Sequence, residues 1–320
     1  MARVFVTGAT GLVGRGLVGE LVKAGHTVVA WRRATSNTKP LAGLPMQWEV
    51  GDLLDVNALE QAMAGCEALF HVAALVSYDR RRERELEVTN VQGTRAVLEA
   101  ARRARVRRVI HTSSIAACAH TRDARVLDES VPWNSGSLRV GYLTTKHRAE
   151  LEAARAVGDG LDVVMVNPSV VLGPNSGGNL DSMRNDLAAG RIVAVPGGGC
   201  GFVSLEDTVR GHLLAWERGR RGERYVISSE NLTWVDFLRR MGNCVGTGWN
   251  GRVLPGGLVR TLSWALDGAA LCGFEPRRVT GPGLRALSVY LWFDGKKAER
   301  ELGLRCAPIE EALWRVALHR

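Results

Sequence analysis

Thr7-Gly8-Ala9-Thr10-Gly11-Leu12-Val13-Gly14 decides the fold of this chain. It follows a short alternating apolar run, Arg3–Thr7, and leads at once into residues 12–24, whose apolar spacing is helical and which Gly25 closes. Strand, glycine turn and helix in immediate succession are the setting a dinucleotide fingerprint requires. Gly8 permits the tight turn, and Gly11 leaves no side chain where the backbone must approach a pyrophosphate. Gly14 lets the helix pack close to the strand. The free N–H groups and positive end of that helix would then face the phosphates. Thr10, Leu12 and Val13 belong to the same candidate cofactor site. An ordinary glycine-rich turn is the competing interpretation.

Strands and helices alternate beyond that turn. Strands are expected at residues 27–31, 46–50, 68–73, 107–112 and 161–166, and helices at 56–63, 87–103 and 141–157. Such alternation predicts an α/β fold, a doubly wound parallel sheet with helices on both faces. After about residue 173 the elements shorten, and Gly and Pro punctuate 173–178 and 196–201. A strand is expected at 192–195, a helix at Leu205–Arg218, a strand at Arg224–Ile227, and helices at 234–241 and, weakly periodic, 258–271. The expected division is residues 1–173 as the dinucleotide-binding domain and 174–320 as a smaller substrate-binding region, partly interleaved with it.

Tyr142-Leu-Thr-Thr-Lys146 lies on the helix predicted for 141–157. The chain has 42 basic residues but only five lysines and four tyrosines, so a Tyr-x-x-x-Lys pair invites a chemical reading. Four residues apart on a helix, phenol and ammonium share a face. A free phenol titrates near pH 10, and a nearby ammonium is expected to pull it toward the working range. An amphipathic helix with an accidental spacing is the plain alternative.

Several further motifs occur in order: Gly51-Asp52-Leu53-Leu54-Asp55, Phe70-His71-Val72-Ala73-Ala74, Asn90-Val91-Gln92-Gly93-Thr94, Thr112-Ser113-Ser114 and Asn167-Pro168-Ser169-Val170-Val171-Leu172-Gly173-Pro174. With the Gly-x-x-Gly-x-x-Gly turn and the Tyr/Lys pair, the chain resembles the extended branch of the short-chain dehydrogenase/reductase superfamily, the NAD-dependent epimerases and dehydratases. Within it the pattern is nearest the ketone reductases that resemble dihydroflavonol 4-reductase. The match runs from residue 4 to about 174 and continues weakly through Phe202-Val203-Ser204-Leu205-Glu206-Asp207 and through residues 294–303.

The resemblance implies roles. Tyr142 would be the general acid or base, Lys146 would lower its pKa and hold the nicotinamide ribose, and Ser114 rather than Ser113 would hydrogen-bond the substrate oxygen. Asn90 would prop the active-site helix. Asp52 and Leu53 would lie beside the adenine, Ala73 and Ala74 beside the nicotinamide ribose, and Pro168 and Val171 against the carboxamide; Thr112, at the end of the fifth strand, would also belong to the cofactor site. His71 is expected to be packed or hydrogen-bonded rather than catalytic.

NAD enzymes usually carry an acid at the end of the second strand. Here that end reads Ala30-Trp31-Arg32-Arg33, and two guanidiniums suit a phosphate, so NADP(H) is expected over NAD(H). The pattern Ser114-Ile115-Ala116 lacks the Asp-Glu pair of dehydratases. Gly198-Gly199-Cys200-Gly201 lacks the arginine with which sugar epimerases hold a diphosphate. A ketone or aldehyde reductase is therefore expected, with a nucleotide-sugar epimerase, a 3-beta-hydroxysteroid dehydrogenase-like enzyme or a redox-sensing regulator as alternatives. Trp249, Trp264 and Trp292 suit an apolar substrate wall or core packing.

The net charge of +9 comes almost wholly from arginine, and no nucleic-acid motif accompanies it. No apolar run is long enough to span a bilayer and the N-terminus goes straight into a strand, so a cytoplasmic, membrane-free protein is expected. The six cysteines show no Cys-x-x-Cys spacing, and no metal site is expected. Arg and Glu on the helices at 87–103 and 141–157 are compatible with a polar homodimer face or a solvated one.

Overall fold

A computed structural model describes residues 1–174, 178–274 and 279–318. Residues 175–177 of the first Gly/Pro stretch and 275–278 of the C-terminal half lie outside it. The strands are β1 (Arg3–Thr7), β2 (Thr27–Arg32), β3 (Gln47–Val50), β4 (Ala68–His71), β5 (Arg108–Thr112), β6 (Val163–Pro168), β7 (Val170–Leu172), β8 (Ala194–Pro196), β9 (Gly199–Ser204) and β10 (Arg224–Ile227). The principal sheet runs β3-β2-β1-β4-β5-β6-β10, with every pair parallel. Strand order reverses between β1 and β4, so a crevice opens there at the carboxyl ends of the strands.

Helices α1 (Leu12–Lys23) and α7 (Leu205–Arg218) cover one face. Helices α2 (Val56–Ala62), α4 (Gly93–Arg103) and α5 (Gly141–Gly158) cover the other. Side chains of β1 alternate between the two: Val4 and Val6 join a core with Leu17, Leu21 and Val209, whereas Phe5 joins one with Leu59, Val97 and Ala153. β6 is buried along its whole length, as expected for a parallel strand covered on both sides.

The C-terminal half adds α6 (Asn179–Ala188), β11 (Glu230–Thr233), α8 (Trp234–Cys244), β12 (Arg252–Leu254), α9 (Gly256–Leu271), α10 (Gly281–Leu287), β13 (Tyr290–Leu291), α11 (Lys296–Leu302) and α12 (Glu310–Leu318). A separate core of Phe202, Trp234, Phe237, Met241 and Leu313 holds it together. This half also sends β10 into the principal sheet and α7 onto its face.

Three sequence expectations give way to the structure. The glycine-rich 196–201 is not only a turn: Gly199–Ser204 is a fully buried strand, β9, pairing with β7, β11 and β13. Its glycines answer to close packing, since a Cβ on Gly199 would lie 2.5 Å from Leu232 O. The helix expected at 87–103 begins earlier, with α3 (Glu83–Leu86), and continues through a π-helical segment, Glu87–Gln92, before α4. Trp264 is two-thirds exposed and is neither core nor wall. Trp249 is core, with Nε1 donating to Ile192 O at 2.5 Å. Trp292 Nε1 donates to Leu232 O at 3.1 Å, beside β9.

The Arg/Glu faces of α4 and α5 pair within the chain: Arg95 and Arg155 both bind Glu152, and Arg148 binds Glu87. The alternating run at 79–85 forms a helix start, with Asp79 capping a 3₁₀ turn and Arg82 bound to Glu85.

Three imidazoles are buried in the sheet region. His71 and His111 stack across β4 and β5 with centroids 5.3 Å apart. His71 bridges Thr7 Oγ1 (2.8 Å) and Thr94 Oγ1 (3.0 Å), and His212 of α7 bridges Thr112 Oγ1 (2.9 Å) and Thr208 O (2.7 Å). Among the described residues, neither ring nitrogen of His111 has a partner. Burial pulls His71 down to about 3, His212 down to about 4 and His111 well below the usual range. The unfolded imidazoles titrate near 6.5, so stability from these groups is present above that pH and is lost as pH falls toward the folded values. Each is expected to cost about 2 kcal/mol by pH 5. Urea unfolding midpoints should fall steeply between pH 7 and pH 5; a flat profile there would contradict this account.

Candidate active site

The crevice between β1 and β4 is lined by backbone. Gly8 has φ +69°, and a Cβ there would lie 2.6 Å from Ala73 N across the crevice. A Cβ on Gly14 would collide with Gly8 O, so the first turn of α1 sits directly on the loop. At Gly11 the protein itself asks for little: the sole neighbour is Gly8 O, 3.3 Å from where a Cβ would stand. Gly11 is exposed at the N-terminus of α1, with open space where a phosphate would approach. The turn therefore fits a dinucleotide. Thr10, Leu12 and Val13 lie half-buried beside it.

The other expected residues gather along the same edge, because all principal strands point one way. Asp52 follows β3, its Oδ1 accepting from Leu54 N at 2.9 Å, and Leu53 packs where a Cβ on Gly93 would meet it. Ala73 N donates to Thr7 Oγ1 at 3.2 Å, and Ala74 is exposed beside it. Thr112 ends β5, Pro168 ends β6, and Val171 lies half-buried in β7. At the end of β2 the Arg32 guanidinium folds back, with Nη1 donating to Arg33 O at 3.2 Å, while its Nε is buried without a partner. Arg33 is exposed.

Asn90 sits in the π-helical segment, where the extra residue per turn re-aims its side chain. Its Oδ1 accepts from Leu75 N at 2.7 Å; its Nδ2 donates to Leu75 O at 3.0 Å and to Thr145 Oγ1 at 3.2 Å. One side chain thus ties the segment leaving β4 to helix α5. Arg285 of α10 secures the entry to α5, donating to Leu138 O at 2.6 Å and Arg139 O at 3.2 Å while paired with Asp267 of α9. Arg139 is held there with φ +51°, a left-handed conformation that a non-glycine residue adopts at a cost.

The first turns of α5 place Tyr142 and Lys146 on one face. The Ser114 hydroxyl lies near the Tyr142 phenol, without the geometry of a full hydrogen bond, and accepts from Ala116 N at 3.1 Å. Lys146 is buried and its Nζ donates to Thr112 O at 2.8 Å. Ser113 turns the other way, toward Glu150. Burial pushes the phenol up, against the lowering effect of the Ser114 hydroxyl, and pulls Lys146 down to about 8. The expectation that the ammonium would lower the phenol's pKa does not hold in the free protein: burial raises it, Lys146 is not among the groups that act on it, and the phenol stays protonated.

Sequence reading missed two neighbours of Tyr142. Tyr78, in the loop after β4, meets it edge to face with centroids 6.0 Å apart. Cys200 of β9 acts on both phenols, and burial raises its own thiol to about 12. Neither carries a local signal, since a loop residue and a strand residue reach the site only through long-range packing. It also missed Glu150, for which a signal exists: it continues the Tyr142/Lys146 spacing by one more turn of the helix. Among the described residues no cluster of three His, Cys, Asp or Glu could hold a metal ion, and no helix is long and apolar enough to cross a membrane.

Residues 4–228 match the model of the NAD dependent epimerase/dehydratase family. A Synechocystis protein provisionally named a dihydroflavonol 4-reductase is 36% identical over 97% of this chain and 92% of its own. Sterol demethylase protein B of Methylococcus capsulatus is 36% identical over 93% of this chain and 92% of its own. A 4-hydroxy-2-methyl-3-oxo-4-farnesyl-3,4-dihydroquinoline-1-oxide ketoreductase of Stigmatella aurantiaca is 36% identical over 71% of this chain and 68% of its own. The crystal structure of gox2253 superposes with a TM-score of 0.87 at 30% identity, covering 99% of this chain and 97% of the other.

Proposed function

The chain belongs to the NAD dependent epimerase/dehydratase family and is an NAD(P)-dependent oxidoreductase; within that family we propose that it reduces a ketone or aldehyde carbonyl on an apolar or moderately polar small molecule, with NADPH. One observation carries the reading: a half-buried, protonated phenol beside a serine hydroxyl, one helical turn from a buried ammonium, at the mouth of the dinucleotide crevice. When bound, the cofactor supplies a hydride. Tyr142 donates its proton to the carbonyl oxygen as negative charge develops there. Ser114 steadies the same oxygen with a hydrogen bond. Lys146 keeps a positive charge beside the phenolate left behind and would hold the ribose hydroxyls. Asn90 and Arg285 keep α5 in the register this requires. The reductase named among the relatives supports the direction of reaction.

Apolar walls come from Tyr78 and Cys200, so the substrate expected is one whose carbonyl sits in a largely apolar setting. The test is a carbonyl-substrate screen with NADPH and NADH in parallel. Oxidation of NADPH by ketones or aldehydes is the expected result. Turnover confined to nucleotide sugars, with no net oxidation of added NADPH, would replace this reading by an epimerase.

The preference for NADPH is assigned to Arg33 and Arg32. Arg33→Ala is expected to weaken NADPH about 10- to 100-fold, the worth of one charge-assisted contact, and to leave NADH within about threefold. Equal losses for both cofactors, measured as Kd by fluorescence, would refute the assignment.

A further inference from the structure

Helix α5 carries a third ionisable group on the face of Tyr142 and Lys146. Glu150 is 6% exposed, one turn beyond Lys146, which is 2% exposed. Its Oε1 accepts from Asn167 Nδ2 at 2.5 Å, and the same Nδ2 donates to Ser114 O at 3.0 Å. Its Oε2 lies 3.4 Å from Arg224 Nη1 of β10. Ser113 Oγ lies against the carboxyl without the geometry of a full hydrogen bond. On its far side Glu150 lines a cavity of about 740 Å³ with His147, Glu129, Arg224 and Lys297. One carboxyl therefore reaches both partners of Tyr142: Ser114 through Asn167, and Lys146 along the helix.

We propose that Glu150 is a positioning residue for the reductive site, holding Lys146 in its ammonium form and Ser114 in place through Asn167. The inference rests on the reductase reading above. A lone ammonium in this setting loses its proton easily, and a carboxylate one turn away opposes that loss. Other ionisable groups surround the pair. His71 and His111 face Lys146 from β4 and β5. Arg224 faces Glu150 from β10, and Cys118 faces it from the turn after β5. The histidines and Arg224 bear no negative charge, and burial raises Cys118 far above neutrality; burial also raises Glu150, against the lowering effects of Asn167, Arg224 and Lys146, and once ionised it is the one anion in this set that can support Lys146.

The test separates charge from shape. Glu150→Gln keeps an acceptor for Asn167 but removes the charge. The alkaline limb of kcat/KM against pH, set by Lys146, is expected to move down by about one pH unit or more. The plateau below it should fall only a few-fold. Glu150→Asp keeps the charge but shortens the reach to Asn167: the limb should stay within about half a unit while the plateau falls about tenfold. With only five lysines in the chain, the side-chain NMR signal of Lys146 can be followed directly in carbon-13 lysine-labelled protein. In the unmodified protein that signal should show a second, smaller inflection where Glu150 titrates, still present in His147→Asn. An unmoved limb in Glu150→Gln, or no second inflection in the unmodified protein, overturns the proposal. The NMR readout needs no turnover, so a protein that reduces no carbonyl yet shows the coupling would sink the reductase reading alone.

Discussion

Tyr142→Phe is expected to lower carbonyl reduction by about 10²- to 10⁴-fold, the usual contribution of a positioned general acid. The substitution preserves the ring that packs on Tyr78 and removes only the O–H beside Ser114. Fold and cofactor affinity should therefore hold, with the far-ultraviolet circular dichroism unchanged and Kd for NADPH within about threefold. Tyr78→Phe is the matched control. It removes a phenol that packs edge to face on Tyr142 but does not lie beside Ser114 and Lys146 on helix α5, and less than a tenfold loss is expected. Reduction by Tyr142→Phe at the unmodified rate, or equal losses in the two variants, would show that the proton comes from elsewhere.

Gly8→Ala is expected to abolish dinucleotide binding and to cost about 2–5 kcal/mol of stability. Two penalties add. The left-handed φ of +69° costs an L-residue about 1–2 kcal/mol. The new methyl would also lie 2.6 Å from Ala73 N and 2.8 Å from Val72 C, backbone atoms that cannot rotate aside. Relief requires the β1 turn and the segment leaving β4 to part, which misplaces both walls of the crevice. Gly19→Ala on α1, with nothing among the described residues within 4 Å, should instead stabilise by about 0.5–1 kcal/mol. Denaturant midpoints and NADPH titration of both variants check the pair. A Gly8→Ala protein of ordinary stability that still binds cofactor would contradict the geometry.

The N-terminal half was legible because its elements follow local rules. A short apolar run such as Leu161–Val166, rich in valine and bounded by Gly160 and Pro168, suits a strand covered on both faces, and the spacing of Tyr142 from Lys146 needs nothing beyond helical periodicity. The C-terminal half was less so. Gly199 and Gly201 read as turn residues, yet they are glycines because Leu232 O and Ser228 Oγ lie where a Cβ would be. Nothing in a run of sequence announces which backbone will press against it. The π-helical segment around Asn90 is likewise invisible to a pattern of apolar positions, since it shifts the register of one turn without changing composition.

The sequence by itself settled the succession of strand, glycine turn and helix, the parallel sheet that follows from βαβ alternation, and the shared face of Tyr142 and Lys146. These depend on contacts between residues a few positions apart, where periodicity and backbone stereochemistry suffice. Only the tertiary structure decided that Tyr78 and Cys200 close around the phenol, and that Glu150 meets Asn167 behind Ser114. It also decided that the phenol stays protonated. The reason is the same in each case: desolvation and side-chain direction are set by elements far apart in the chain, and their strength depends on how completely those elements exclude water.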